Sequence, residues 1–163
     1  MRGVLTGGCQ CGALRFRIEG PPRYSTVCHC RMCQKAFSAP FGASVSVSAD
    51  QVVWTRGERR RFLSSDKVAR TFCGDCGSQL TFGGARGSRN VALSTCAFDD
   101  PSTLPPTQQS GAESRLAWLD GLATLPWPPE AATAAQEARY GPRVSHQHPD
   151  HDTDIWPSAT SVR

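Results

Sequence analysis

Cysteine spacing constrains this chain more than any other feature. Seven of its eight cysteines fall into three tight groups: Cys9-x-Cys11, Cys28-x-Cys30-x-x-Cys33 and Cys73-x-x-Cys76. Small domains stapled by disulfides carry cysteine at roughly 8–10% of residues or more, and eight in 163 residues is below that. Cysteines one or two residues apart suit a shared metal ion better than long-range staples. Zinc in structural sites takes four ligands in a tetrahedron, about 2.3 Å from each sulfur. Cys9, Cys11, Cys73 and Cys76 supply four thiolates. Such a site would tie the start of the chain to its middle. The bland alternative is four reduced cysteines in a core.

Cys28, Cys30 and Cys33 offer three thiolates within six residues. Three protein ligands leave a fourth zinc position for water or substrate, the pattern of a catalytic site. A thiol arriving there would lose its proton and become a nucleophile near neutral pH. Two rival readings stay open: a second structural site closed by Cys96, or redox cysteines. His29 lies between two of the thiols, and strand alternation turns it away from them, toward a supporting role. Cys96 alone reads as a small buried hydrophobe. Arg59-Arg60-Arg61 reads as a solvated strand edge, and Gly83-Gly84-Ala85-Arg86-Gly87 lacks the Lys-Ser/Thr end of a phosphate loop.

The rest of the sequence reads as short strands. Leu14, Phe16 and Ile18 alternate with Arg15, Arg17 and Glu19, a half-buried strand over 13–19. Further strands are expected over 24–27, 41–48, 51–55, 60–64, 68–72, 79–82 and 90–95, with one helical turn over 31–37. Regular short strands with turn signals between them predict a mainly β domain. Residues 115–119 read as a short strand or extended segment. Glu130 to Tyr140 is Ala-rich, follows prolines and stops at Gly141-Pro142, which predicts a helix. The expected organisation is a zinc-binding domain over 1–128, a helix over 129–141 and a disordered tail over 142–163, with His146, His148 and His151 solvated rather than bound to metal. Net charge is a modest +4, which identifies no nucleic-acid partner. Met1-Arg2 precedes too few apolar residues for an export signal, and no run approaches the ~18 residues of a membrane span. Metal-binding thiolates imply a reducing compartment, so the expectation is a cytoplasmic protein, away from membranes.

Three stretches together resemble a known family. Gly8-Cys9-Gln10-Cys11-Gly12, Cys28-His29-Cys30-Arg31-Met32-Cys33-Gln34-Lys35 and Phe72-Cys73-Gly74-Asp75-Cys76-Gly77-Ser78 are similar to the glutathione-dependent formaldehyde-activating enzymes, a family that includes centromere protein V. Asp99-Asp100-Pro101 and Ser114-Arg115-Leu116-Ala117-Trp118 resemble its later motifs. The resemblance covers roughly residues 3–120. It implies a β-tent (Mss-four-like) zinc-binding fold of short antiparallel strands, with two zinc ions per chain. Cys9, Cys11, Cys73 and Cys76 match the structural site, and Cys28, Cys30 and Cys33 the catalytic one. It also implies carbon–sulfur lyase chemistry on a thiol–aldehyde adduct such as S-hydroxymethylglutathione, with glutathione or a similar thiol and an aldehyde as partners. The alternatives are a non-catalytic zinc-binding interaction module and a thiol redox or metal-buffering protein. The sequence departs from the family pattern at Cys96, where a small residue is expected, at Gln108-Gln109-Ser110-Gly111, which lacks a histidine often found there, and in the tail after Tyr140.

Overall fold

The computed structural model describes residues 4–141 and 145–156. In chain order the elements are β1 (Leu5–Gly8), β2 (Arg15–Ile18), β3 (Tyr24–Cys28), α1 (Arg31–Phe37), β4 (Gly42–Ser48), β5 (Val52–Arg56), β6 (Arg60–Leu63), β7 (Val68–Phe72), β8 (Gln79–Gly84), β9 (Asn90–Ser94), β10 (Gln108–Ser110) and α2 (Glu130–Tyr140). The protein is mainly β, as the alternation and turn signals predict. Two sheets form, one in the order β1-β2-β5 and one in the order β10-β3-β4-β9-β8-β7-β6.

Burial of β2 sets the packing between the sheets. Its alternating pattern puts Phe16 and Ile18 inward, both 0% exposed, against Val45 and Val47 of β4 and Leu93 of β9. Phe16 meets Trp54 and Phe98 edge to face, with ring centroids 5.6 and 5.2 Å apart, the arrangement that the ring quadrupole favours. A second cluster joins Leu14 and Leu80 to Cys9 and Cys73, so two thiols belong to the hydrophobic core.

Four features differ from the sequence expectation. Arg15, read as solvent-facing, is buried, because Asp99 grips its guanidinium through two hydrogen bonds of 2.8 and 2.5 Å and Asp152 adds a third of 2.9 Å. The sheets are not wholly antiparallel: β10, where the sequence reading expects no strand, pairs in parallel with β3, Ser110 opposite Cys28. Residues 115–119 form no strand; a 3-10 helix runs over Ala117–Thr124, and Arg115 pairs with Asp120 at 2.6 Å. Residues 145–156, read as part of a disordered tail, lie against the start of the domain. The His148 backbone N–H donates to Gln10 O at 2.7 Å, the Trp156 indole donates to Cys11 O at 2.6 Å, and Arg56 donates to the Thr153 carbonyl. Gly12 makes that contact possible. It sits at φ +73°, and a Cβ there would strike the His148 ring. The rest of the expected tail, residues 142–144 and 157–163, lies outside the described residues.

Helix α2 forms where its start and stop signals place it, with every residue exposed. Strand β6 is the exposed edge of the larger sheet, and its arginines suit an edge that must resist pairing. Among the described residues, no helix is long and apolar enough to cross a membrane. Since Phe16 is fully buried between the two sheets, Phe16→Ala is expected to cost about 3–5 kcal/mol, read as a lowered midpoint in urea unfolding.

Candidate metal centres

Each cysteine pair in the first group sits on a tight backbone turn. After β1, the Gly12 N–H donates to Cys9 O at 3.0 Å, and the Leu14 N–H reaches Cys9 Sγ at 3.2 Å. After β7, the Gly77 N–H donates to Cys73 O at 3.0 Å. The Gln10 N–H donates to Ser78 Oγ at 3.0 Å and ties one turn to the other. The sulfurs of Cys9, Cys11, Cys73 and Cys76 all lie within 4.8 Å of one another. Cys9 Sγ is 3.6 Å from Cys11 Sγ, which is 3.8 Å from Cys73 Sγ. Four sulfurs about 2.3 Å from one ion stand ~3.8 Å apart at the corners of a tetrahedron, so the group fits a zinc-sized ion. All eight cysteines are free thiols, and thiolate donor sets select soft or borderline metals such as zinc over magnesium or calcium.

The thiols of this group differ in acidity. Burial pushes the Cys9 thiol up, against the Leu14 N–H that favours its thiolate. Burial also pushes Cys11 up to about 11. At Cys76 burial acts the same way, but hydrogen bonds from the Ser78 hydroxyl and backbone and from Cys11 outweigh it and bring the thiol down to about 6. Without metal near neutral pH, Cys76 is therefore a thiolate, whereas Cys9 and Cys11 hold their protons.

The second group spans a strand end and a helix start. Cys28 closes β3, Cys30 caps α1 by accepting from the Cys33 N–H at 3.5 Å, and Cys33 lies in the first turn. Their three sulfurs lie within 4.8 Å of one another. Strand β10 braces this loop: the His29 N–H donates to Ser110 O at 2.9 Å. Gly111 follows at φ +74°, where a Cβ would crowd the Cys30 backbone. Burial raises the Cys28 thiol, but donors led by the Ser110 hydroxyl more than offset it and leave the thiol below its ordinary value. Burial pushes Cys33 up to about 11, although the Arg70 guanidinium, with Nη2 3.5 Å from its sulfur, pulls the other way.

The structure thus brings together the two sets that the sequence groups, and it keeps other candidates out. His29 is buried and its Nε2 pairs with Gln109 Oε1 at 3.0 Å, outside both thiol sets. Gln109 lies in the segment where the family histidine is missing. Cys96 is exposed on a 3-10 turn rather than buried, and it joins neither group. His148, 4% exposed, is engaged by Pro149 O and Thr153 Oγ1 instead of being solvated; His146 and His151 are exposed. Sequence reasoning missed Arg70 and Ser110. Arg70 sits two positions before a cysteine motif on a strand whose alternation predicts inward residues, and that was the available signal. A cavity of about 220 Å³ opens beside the three-thiol group, bordered by Cys28, Cys33, Arg70 and Ser110. A larger one, about 660 Å³, lies beside Cys76, Cys96 and residues 147–150.

A mainly β protein with one four-thiol and one three-thiol group defines a class of proteins whose cysteine clusters could hold metal. Within it, the chain belongs to the glutathione-dependent formaldehyde-activating enzyme family, whose model matches residues 4–113. A Halomonas elongata protein, named provisionally as a glutathione-dependent formaldehyde-activating enzyme, is 30% identical over 126 residues, covering 72% of this chain and 80% of that one. A crystal structure of a Rhodobacter sphaeroides protein covers 64% of this chain and 98% of its own at 16% identity and a TM-score of 0.49, too distant a likeness to bear on the site.

Two predictions follow from the metal groups. Cys73 is 2% exposed, packs in the core and links strands far apart in sequence, and structural metal binding is coupled to folding. Cys73→Ser should therefore lower the melting temperature more than Cys30→Ser; equal losses would refute the division into a core tie and a local site. Loading the four-thiol group must also displace the protons held by Cys9 and Cys11, because a coordinating thiol is deprotonated. Zinc added to metal-free protein at pH 7 should release protons to an indicator dye, and chelator competition should show affinity rising from pH 6 to pH 8.

Proposed function

We propose that the protein is a zinc-dependent carbon–sulfur lyase that joins and parts a small thiol and an aldehyde, with glutathione, formaldehyde and S-hydroxymethylglutathione as the first candidates. One observation carries the reading. Cys28, Cys30 and Cys33 form a three-thiol group beside a cavity, and among the described residues no fourth cysteine or histidine joins them. Cys9, Cys11, Cys73 and Cys76 would hold a structural zinc, and Cys28, Cys30 and Cys33 a second one with a vacant corner. When bound, that ion supplies a Lewis acid that favours the ionised form of an incoming thiol.

The reaction needs no oxidant or reductant. The thiol sulfur bonds to the aldehyde carbon, the carbonyl π pair moves onto oxygen, and the proton lost from the thiol ends on that oxygen as a hydroxyl. The reverse breaks the carbon–sulfur bond and returns the proton. The chain's part is to hold the two reactants together, and proximity alone supplies much of the advantage. The Ser110 hydroxyl and the backbone at Cys30 offset burial and hold the Cys28 thiol below its ordinary value. The apolar wall of the cavity, including Phe37 and Phe82, limits water around the reacting atoms.

The lyase unit in this reading is residues 1–128, with α2 and the residues beyond it as additions. Free thiols of this kind persist in a reducing, cytoplasmic setting, and the reading calls for no nucleic acid or membrane. The alternative of a closed, non-catalytic zinc module needs a fourth protein ligand, and Cys96 stands apart from the group. Cobalt-substituted protein provides the test. Glutathione should change the cobalt absorption spectrum, and exchange spectroscopy should show adduct formation faster than the uncatalysed rate. A spectrum indifferent to every small thiol tried would overturn the reading.

A further inference from the structure

The cavity beside Cys28 and Cys33 carries an unusual charge pattern. Arg70, on β7, is 3% exposed. A guanidinium stays charged throughout the working pH range, and a buried charge is costly unless paired. Among the described residues no carboxylate lies within ion-pair distance of it, and the Nε and Nη1 atoms have no hydrogen-bond partner. Its recorded contacts are the Cys33 sulfur at 3.5 Å through Nη2 and the face of Phe82, whose ring centroid is 4.9 Å from the guanidinium carbon. Arg70 is the sole charged side chain among the described residues that border the cavity.

Hydroxyl groups supply the rest of the polar lining. Ser44 and Ser46 lie two residues apart on β4, hence on one face of the strand, and both border the cavity. A guanidinium with spare N–H groups, two hydroxyls able to donate, and no competing acid together match a carboxylate, which accepts several charge-assisted hydrogen bonds at once. The cavity is also small. About 220 Å³ lies under the ~300–1,000 Å³ usual for ligand pockets, so the group recognised must lie only a few bonds from the reacting sulfur or carbon.

We propose that Arg70, with Ser44 and Ser46, forms a carboxylate-binding subsite that makes this protein selective for a small adduct bearing an acid group close to its carbon–sulfur bond. The proposal rests on the lyase reading for the placement of the sulfur and narrows it: glutathione holds its carboxylates many bonds from its sulfur and formaldehyde has none, so a smaller acidic thiol or an acidic aldehyde becomes the preferred partner. Arg70 here is a specificity-determining residue, and the charge it meets belongs either to the thiol partner or to the aldehyde partner.

Calorimetry on the zinc-loaded full chain tests this with 3-mercaptopropionate, 2-mercaptoethanol and propionate as probes. 3-Mercaptopropionate should bind about tenfold or more tightly than 2-mercaptoethanol, the scale of one charge-assisted hydrogen bond, and propionate should bind detectably. Arg70→Met should abolish the preference and Arg70→Lys should retain part of it, with circular dichroism and metal content confirming that both variants fold. Should Arg70→Met fail to fold, the three probes together with the comparison of glyoxylate and formaldehyde, all on the unaltered protein, still decide. Equal binding of the two thiols, with glyoxylate no better a substrate than formaldehyde when 2-mercaptoethanol is the thiol, would overturn the proposal and leave Arg70 as a counter-charge to the thiolates. Preference for glyoxylate with no preference between the thiols would support the subsite and place its acid on the aldehyde partner. Propionate binding that depends on Arg70, in a protein whose cobalt spectrum ignores all thiols, would uphold the subsite while removing the lyase reading.

Discussion

The tie between the Cys9–Cys11 turn and the Cys73–Cys76 turn is the constraint on which the rest depends. It joins the loop after β1, in the smaller sheet, to the loop after β7, in the larger one, and two of its sulfurs are core residues packed with Leu14 and Leu80. Four sulfurs brought this close in the folded chain would repel one another as thiolates without a cation between them. Burial and mutual proximity keep Cys9 and Cys11 protonated when no metal is present. An ion held there would couple metal loading to completion of the core, because two of the four sulfurs pack in it.

The three-thiol group is built differently. Its sulfurs come from six consecutive residues at a strand-to-helix junction, so little of the fold is needed to bring them together. What the fold adds is the surroundings. Parallel β10 fastens the loop from one side through Ser110 and Gln109, and β7 brings Arg70 to the other. The helix is short, and Cys30 acts both as its cap and as a member of the group. Moving the cap would move one of the three sulfurs.

Much of this was legible in the sequence because the signals are local. Cysteine spacing within a turn, the alternation of Leu14, Phe16 and Ile18, and the proline and glycine bounds of Glu130–Tyr140 each state their outcome within a dozen residues. The features that stayed hidden depend on partners far along the chain. Arg15 is buried because Asp99 and Asp152 meet it, and its own neighbours in sequence say the opposite. Strand β10 has three polar residues and exists because β3 offers an open edge. Residues 115–119 pair with no strand and lead into the 3-10 helix of Ala117–Thr124. Cys96 looked like a core residue by composition, yet the 3-10 turn at Thr95–Ala97 rotates it outward.

Through their contact, residues 145–156 and the first cysteine turn depend on each other. Trp156 and His148 bind the backbone carbonyls of Cys11 and Gln10, and the Asp152 carboxylate completes the pairing of Arg15. Those carbonyls hold their positions only while the turn is closed around its sulfurs. Coupling of this kind is reciprocal: closing the turn lowers the entropic cost of docking the segment, and the docked segment preorganises the turn and its two sulfurs. Residues 145–156 would thus help fix a turn that begins at Cys9, and a chain cut back to the end of α2 would hold its first pair of sulfurs less firmly.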